Sequence, residues 1–95
     1  MNKVQLMGVV GGQPVQREDG VLIKLATVRA DGATEWHPVL CRGECSEVAL
    51  RLAEGDLLVV HGSLRTSEYM SPDGNRRWMT DVVCEMISAT LRAEA

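Results

Sequence analysis

Apolar side chains recur at every second position through most of this chain. That is the period of an extended backbone, whose side chains point alternately to opposite faces. Val4, Leu6 and Val10 share one side of a first strand over Lys3–Val10, and Lys3, Gln5 and Met7 share the other. Gly8, Gly11 and Gly12 interrupt it, and glycine in a strand marks a bend, a bulge or a close backbone approach. Pro14 to Arg17 is short and extended, and Glu18-Asp19-Gly20 has the composition of a turn. A second strand runs from Val21 to about Arg29, with Ile23, Leu25 and Thr27 on one face and Leu22, Lys24, Ala26 and Val28 on the other. Asp31-Gly32 is a strong hairpin signal, so this strand should pair antiparallel with Thr34–Gly43. There Trp36, Pro38, Leu40 and Arg42 share a face, opposite Glu35, His37, Val39 and Cys41.

The period then changes. Cys45, Val48, Ala49 and Leu52 fall at i, i+3, i+4 and i+7, one apolar stripe of a helix from Glu44 or Cys45 to Ala53. Glu44 and Glu47 favour its start, and Gly55 suits the position after its end. Asp56–Thr66 is a nearly continuous apolar run, as in a strand covered on both faces. Ser67–Trp78 reads as a hairpin excursion turning at Ser71-Pro72-Asp73-Gly74-Asn75. The last strand runs from Trp78 to about Ser88. Trp78, Thr80, Val82, Cys84 and Met86 share one face, and Met79, Asp81, Val83, Glu85 and Ile87 the other. The stretch from Ala89 onward has no pattern. Three strands, a short helix and two strands make an all-β chain with the layout of the five-stranded Greek-key barrel called the OB-fold. The expected organisation is one domain over 1–90 and a short tail over 91–95.

Composition narrows the function. The chain is 45% apolar and 24% charged, as in an ordinary soluble domain, and no apolar run approaches the ~20 residues of a membrane span. With no secretory signal at Met1-Asn2-Lys3-Val4, a cytoplasmic, nucleoid-associated location is expected. The odd set Cys41, Cys45 and Cys84 argues against a disulfide framework. A metal site from His37, Cys41, Cys45 and either Cys84 or His61 lacks a second tight ligand pair, so small buried thiols are the preferred reading and no metal or cofactor is expected. No nucleophile–base–orienter constellation is evident around His37 or His61, and no phosphate-cradling glycine loop is present, so an enzyme is not expected. Net charge is −3, which weakens a nucleic-acid partner, yet eight of the ten basic residues are Arg, which both grips phosphate and stacks on bases. The aromatic residues are Trp36, Tyr69 and Trp78, with no Phe. Taken alone, Trp36 fits either a core residue packed on the helix or a stacking platform.

Several blocks decide between these. Met1-Asn2-Lys3-Val4 with Leu6 and Gly8, Leu25-Ala26-Thr27, Thr34-Glu35-Trp36-His37, Ser46-Glu47-Val48-Ala49, Gly62-Ser63-Leu64-Arg65-Thr66, and Asp73-Gly74 with Trp78-Met79-Thr80-Asp81-Val82-Val83 keep one order and spacing over almost the whole chain. In these it resembles the bacterial-type single-stranded DNA-binding protein family. The resemblance implies an OB-fold, a homotetramer with a dimer as the alternative, and binding of single-stranded DNA without sequence preference in replication, recombination or repair. It implies that Trp36, Tyr69 and Trp78 stack on bases and that Arg65 belongs to the DNA-binding surface. It places His37 near the subunit interface, and Val4 and Leu6 are expected there too. Arg42, Arg76, Arg77, Lys24 and Lys3 are the further phosphate candidates, with Arg17 and Arg29 behind them. Departures are a shorter loop between the second and third strands, Arg42 where many members stack a Phe, and Pro38 where a basic residue is common. The Gly- and Pro-rich linker and acidic tip of bacterial members do not appear in this sequence, so tail-mediated recruitment of replication proteins is not expected from it. The rival reading is an OB-fold adaptor of primosomal type working through protein contacts.

Overall fold

Six strands and one helix follow one another in the computed structural model, which describes residues 1–91: β1 (Val4–Val10), β2 (Val15–Arg17), β3 (Gly20–Val28), β4 (Thr34–Cys41), α1 (Glu44–Leu50), β5 (Leu57–Met70) and β6 (Arg76–Leu91). The sheet order is β1-β5-β6-β4-β3-β2, and β1 pairs again with β3 at Val9–Ala26 and Val10–Leu25. That second pairing closes β1, β5, β6, β4 and β3 into a ring, with β2 hung on β3 outside it. The five expected strands are all present, and the extended stretch before Glu18 is the short sixth. The ring and its one helix are the OB-fold expected from the order of elements.

Alternation decides what the ring encloses. Val10, Val21, Ile23, Leu25, Val39, Cys41, Leu58, Val60, Val82 and Cys84 fill it, and Ala49 with Leu52 covers it from the helix side. The core is aliphatic, and all three aromatic residues are at the surface. Truncating Leu25 or Leu58, both fully buried, to Ala should cost ~2–5 kcal/mol through lost transfer energy and an unfilled cavity.

Four boundaries differ from the sequence reading, each for a local reason. α1 ends at Leu50, not Ala53, because the chain turns there: Ala53 N–H donates to the Asp56 carboxylate at 2.9 Å, and Asp56 N–H to the Ala53 carbonyl at 3.1 Å. The hairpin is no excursion. β5 and β6 run straight through it to a turn at 71–75, where Ser71 N–H donates to the Asn75 carbonyl and Gly74 takes φ 84°. The side-chain parity of β6 changes after Cys84. Gly62 pairs with Cys84 but His61 pairs with Met86, so Glu85 is an extra residue and a β-bulge. Met86 is therefore exposed, whereas Ile87 packs against the core. The bulge sits where the strands nearly touch, since a Cβ on Gly62 would lie 2.1 Å from the Val83 carbonyl oxygen. Finally, β6 continues through the patternless stretch to Leu91, which pairs with Leu57. The remainder of the expected tail, 92–95, lies outside the described residues.

Candidate nucleic-acid interface

The outer face of β3 and β4 presents the first group. The hairpin register sets Trp36 opposite Ala26 and Pro38 opposite Lys24, so Trp36, Pro38, Ala26 and Lys24 share the face turned away from Leu25 and Val39. The register is held at the Asp31-Gly32 turn, where Arg29 donates to the Asp31 and Glu35 carboxylates. The Arg29 guanidinium and the Ala33 N–H hold the Asp31 carboxyl below its ordinary range. Trp36 is 57% exposed, so the indole is outside the core. Its six-membered ring lies against Gly11, where a Cβ would come within 2.2 Å of it. Gly11 N–H donates to the Lys24 carbonyl, tying the end of β1 to β3 at this spot. Trp36, Gly11, Gly12, Lys24 and Glu54 line an open cleft of about 340 Å3. Arg42 continues the Trp36 face to its far end, ~20 Å away at ~3.3 Å per residue. Its side chain lies against Gly20.

The second group is on the arm formed by the outer halves of β5 and β6. β4 and β6 are parallel and pair only over Val39–Val82, Leu40–Val83 and Cys41–Cys84. Before those positions they are unpaired, so Trp36 and the arm both lie on the same side of that short seam. Strand parity carries the Trp36 face through Leu40 and Val83 to Asp81, Met79 and Arg77 on β6 and to Arg65 and Tyr69 on β5. Trp78 falls on the reverse side with Val82, Thr80, Leu64 and Met70. The three aromatics are all exposed, at 57%, 49% and 64% for Trp36, Tyr69 and Trp78, but they occupy two faces.

The arginines of the arm already have acidic partners. Arg65 meets the buried Asp81 with two hydrogen bonds of 3.3 and 3.0 Å. Arg76 pairs with Glu68 at 3.1 Å and Arg77 with Asp73 at 3.8 Å. Among the described residues, Lys24, Arg42 and Lys3 have no ion pair. Lys3 is not part of the Trp36 cleft. It lies at the other end of β1, in a separate cleft of about 310 Å3 with Val4, Gln5, His61, Gly62 and Glu85.

Val4 and Leu6 point inward and pack against the core, while Gln5, Met7 and Val9 on the same strand face out. His37 shares a 2.7 Å hydrogen bond with the Thr27 hydroxyl at the half-buried end of the ring. His61, which showed no partner in sequence, shares one of 2.8 Å with the Ser88 hydroxyl across the bulged ladder. No carboxylate is hydrogen-bonded behind that imidazole among the described residues, so the pair lacks the third group that would orient a base. Cys41 and Cys84 face each other across β4 and β6, with Cys45 beside them on α1. Burial and the neighbouring Cys84 push the Cys45 thiol up to about 11. Hydrogen bonding with Cys41, reinforced by burial, pushes Cys84 up as well. Cys45 and Cys84 therefore stay protonated at neutral pH. Among the described residues no group of three His, Cys, Asp or Glu side chains is placed to hold a metal ion, and no helix is long and apolar enough to cross a membrane.

Two residues of the cleft escaped the sequence reading. Gly11 was visible as a strand breaker but not as the seat of an indole. Glu54 gave no signal, because it reaches the cleft only when the turn after α1 docks on β1.

The Single-strand binding protein family matches residues 1–90. The chain is 30% identical over 100 residues to Single-stranded DNA-binding protein 1 of Xylella fastidiosa (strain 9a5c), covering 90% of this chain and 74% of that protein. It is 34% identical over 107 residues to the Single-stranded DNA-binding protein of Rhizobium meliloti (strain 1021), covering 96% of this chain but 62% of that longer protein. The fold is shared with the mitochondrial single-stranded DNA-binding protein Rim1 of S. cerevisiae, at a TM-score of 0.72 and 17% identity over 97% of this chain and 96% of that one. The match along the chain, the bacterial relatives and the closed ring agree: this chain belongs to the single-strand binding protein family.

Proposed function

We propose that this protein binds single-stranded DNA without strong sequence selection and protects it during replication, recombination or repair. The observation that carries the proposal is Trp36, an indole held open on the outer sheet face by Gly11, beside a cleft holding Lys24, which has no ion pair among the described residues. Every base has a π face, so one exposed indole gives about 1–3 kcal/mol per stacked base whatever the sequence. Tyr69 extends the same face, and Trp78 offers a second contact on the reverse of the arm. Lys24 and Arg42 are the first phosphate contacts, with Lys3 at a more distant point. Arg65, Arg76 and Arg77 join only by exchanging carboxylate for phosphate. The family is a non-enzymatic one, consistent with this role.

Assembly into a homo-oligomer, a tetramer or a dimer, is part of the same proposal. β1 pairs with β5 along its length but with β3 only at Val9 and Val10, which leaves a free strand edge over Val4–Gly8. Met7 and Val9 are exposed beside it. In this reading Val4 and Leu6 set that edge by their inward packing, and His37 lies near the contact. Fluorescence titration of Trp36 and Trp78 with a mixed-sequence single-stranded oligonucleotide at low salt tests the function. Saturable quenching that a duplex of the same sequence does not give is expected, and no response from folded protein would overturn it. The adaptor reading is favoured by one observation, the neutralised arginines of the arm. Capture of a protein partner after nuclease treatment, without oligonucleotide binding, would establish it.

A further inference from the structure

Four separate segments meet at the Trp36 cleft: Gly11 and Gly12 after β1, Lys24 on β3, Trp36 on β4, and Glu54 in the turn before β5. Glu54 sits on a fixed support. Gly55 N–H donates to the Val10 carbonyl at 2.8 Å, and Val10 N–H to the Asp56 carbonyl at 2.9 Å. The buried Asp56 carboxylate holds the turn from within. Lys24 and Glu54 line one cleft without an ion pair between them or with any other described residue. The cleft therefore has an aromatic face, a free cation and a free carboxylate. The first two suit any nucleotide. The third does not, because an ionised carboxylate accepts hydrogen bonds and donates none.

We propose that Glu54 makes this cleft a base-selective position, favouring bases that present an exocyclic amino group, cytosine above thymine and uracil. The proposal rests on the single-stranded DNA reading given above. A base stacked on Trp36 turns its edge toward the cleft wall. Cytosine offers N4–H to the carboxylate, the pairing that acidic side chains make with this base. Uracil and thymine offer O4 at the same place, and two acceptors repel; their one edge donor, N3–H, lies between O2 and O4, so a carboxylate that reaches it meets an acceptor on either side. Adenine N6 and the guanine N1 and N2 hydrogens fall with cytosine. Lys24 takes the phosphate, which keeps the negative Glu54 from rejecting the strand as a whole. Selection acts at one nucleotide of a longer bound strand, so it is modest.

Deoxycytidine and deoxyuridine homo-oligomers of equal length separate the possibilities, because the two bases differ only in the groups at N3 and C4. Indole quenching at neutral pH should show dC bound about fivefold tighter than dU, the size of one net hydrogen bond in an open site. Glu54→Gln should bring the ratio close to one, since the amide donates as well as accepts. It should do so chiefly by tightening the dU complex, because the charge facing O4 and the phosphate is gone. Lys24→Gln should weaken both and leave the ratio unchanged. Equal affinity for dC and dU in the unaltered protein would overturn the selective role of Glu54 and leave single-strand binding standing. A dC preference that survives Glu54→Gln would overturn it too. Failure of folded protein, checked by circular dichroism, to bind either oligomer would overturn the single-strand reading itself.

Discussion

The β3–β4 face and the β5–β6 arm are built from the same ingredients, exposed aromatics and cations on a twisted sheet, yet they are in different electrostatic states. On β3–β4, Lys24 stands beside Trp36 with no acidic partner among the described residues. On the arm, Arg65, Arg76 and Arg77 each meet a carboxylate. A phosphate reaching Lys24 displaces only water and counterions. One reaching Arg65 must displace Asp81, which is buried and would be left without its partner. The comparison teaches that a cation's position on a binding face does not make it available; its cross-strand neighbour decides that. In the reading proposed above, the face is the first contact and the arm is chiefly a shaped wall.

The largest expected contrast is in affinity. Trp36→Ala should weaken binding of a mixed-sequence strand roughly 10- to 100-fold, one stacked base, in fluorescence anisotropy with a labelled oligonucleotide. Tyr69→Ala and Trp78→Ala should each cost less than about tenfold. Equal losses from all three would erase the distinction between the regions. Next comes stability. Arg65→Ala should lower the free energy of unfolding by about 2 kcal/mol, because it strips a buried carboxylate of its charged donor. Lys24→Ala should stay within about 0.5 kcal/mol, as for a surface substitution. Denaturant midpoints measure both, and Asp81→Asn added to Arg65→Ala should recover part of the loss.

Salt dependence sharpens the same point. Lys24→Gln should flatten the log–log slope of affinity against salt by about 0.7, one single-strand phosphate contact, while Arg76→Gln and Arg77→Gln should change it less. Gly11→Ala should weaken binding about threefold by pushing the indole off its seat, a fraction of one stacking contact. The smallest effect is on the arm's tip. The Ser71 hydroxyl and the Asn75 N–H hold the Asp73 carboxyl below its ordinary value of 3.8. A depressed native value contributes stability above the unfolded value and loses it as pH falls through the native one. The tip should therefore be indifferent to pH near neutrality and loosen only in strong acid, which the Asn75 amide shift in an NMR titration would show.

The parts legible in sequence were those set by near neighbours. The two-residue period placed β1, β3 and β4, a nearly continuous apolar run placed the inner half of β5, and Asp31-Gly32 gave the hairpin that sets Lys24 and Trp36 on one face. The bulge at Glu85 was not legible, because it depends on how Gly62 approaches Val83 across the ladder. α1 was read one turn too long, since the stripe continues to Leu52 while the Asp56 side chain has already bent the chain. Arg65 and Asp81 are sixteen residues apart, so nothing local announced that the arginine was occupied. That Trp78 and Trp36 face opposite ways followed only from joining β4, β6 and β5 in register.

The bond from Gly55 N–H to the Val10 carbonyl links residues forty-five positions apart. Long separations of this sort slow folding, because chain entropy is lost before the contact forms. The hairpin carrying Trp36 is a local structure and can form early, but its cleft is completed only when β1 meets β5. A strand bound in the finished cleft thus acts as a clasp on the whole ring. Occupancy should raise the melting temperature with ligand concentration, reporting on the closure of the molecule as well as on the ligand.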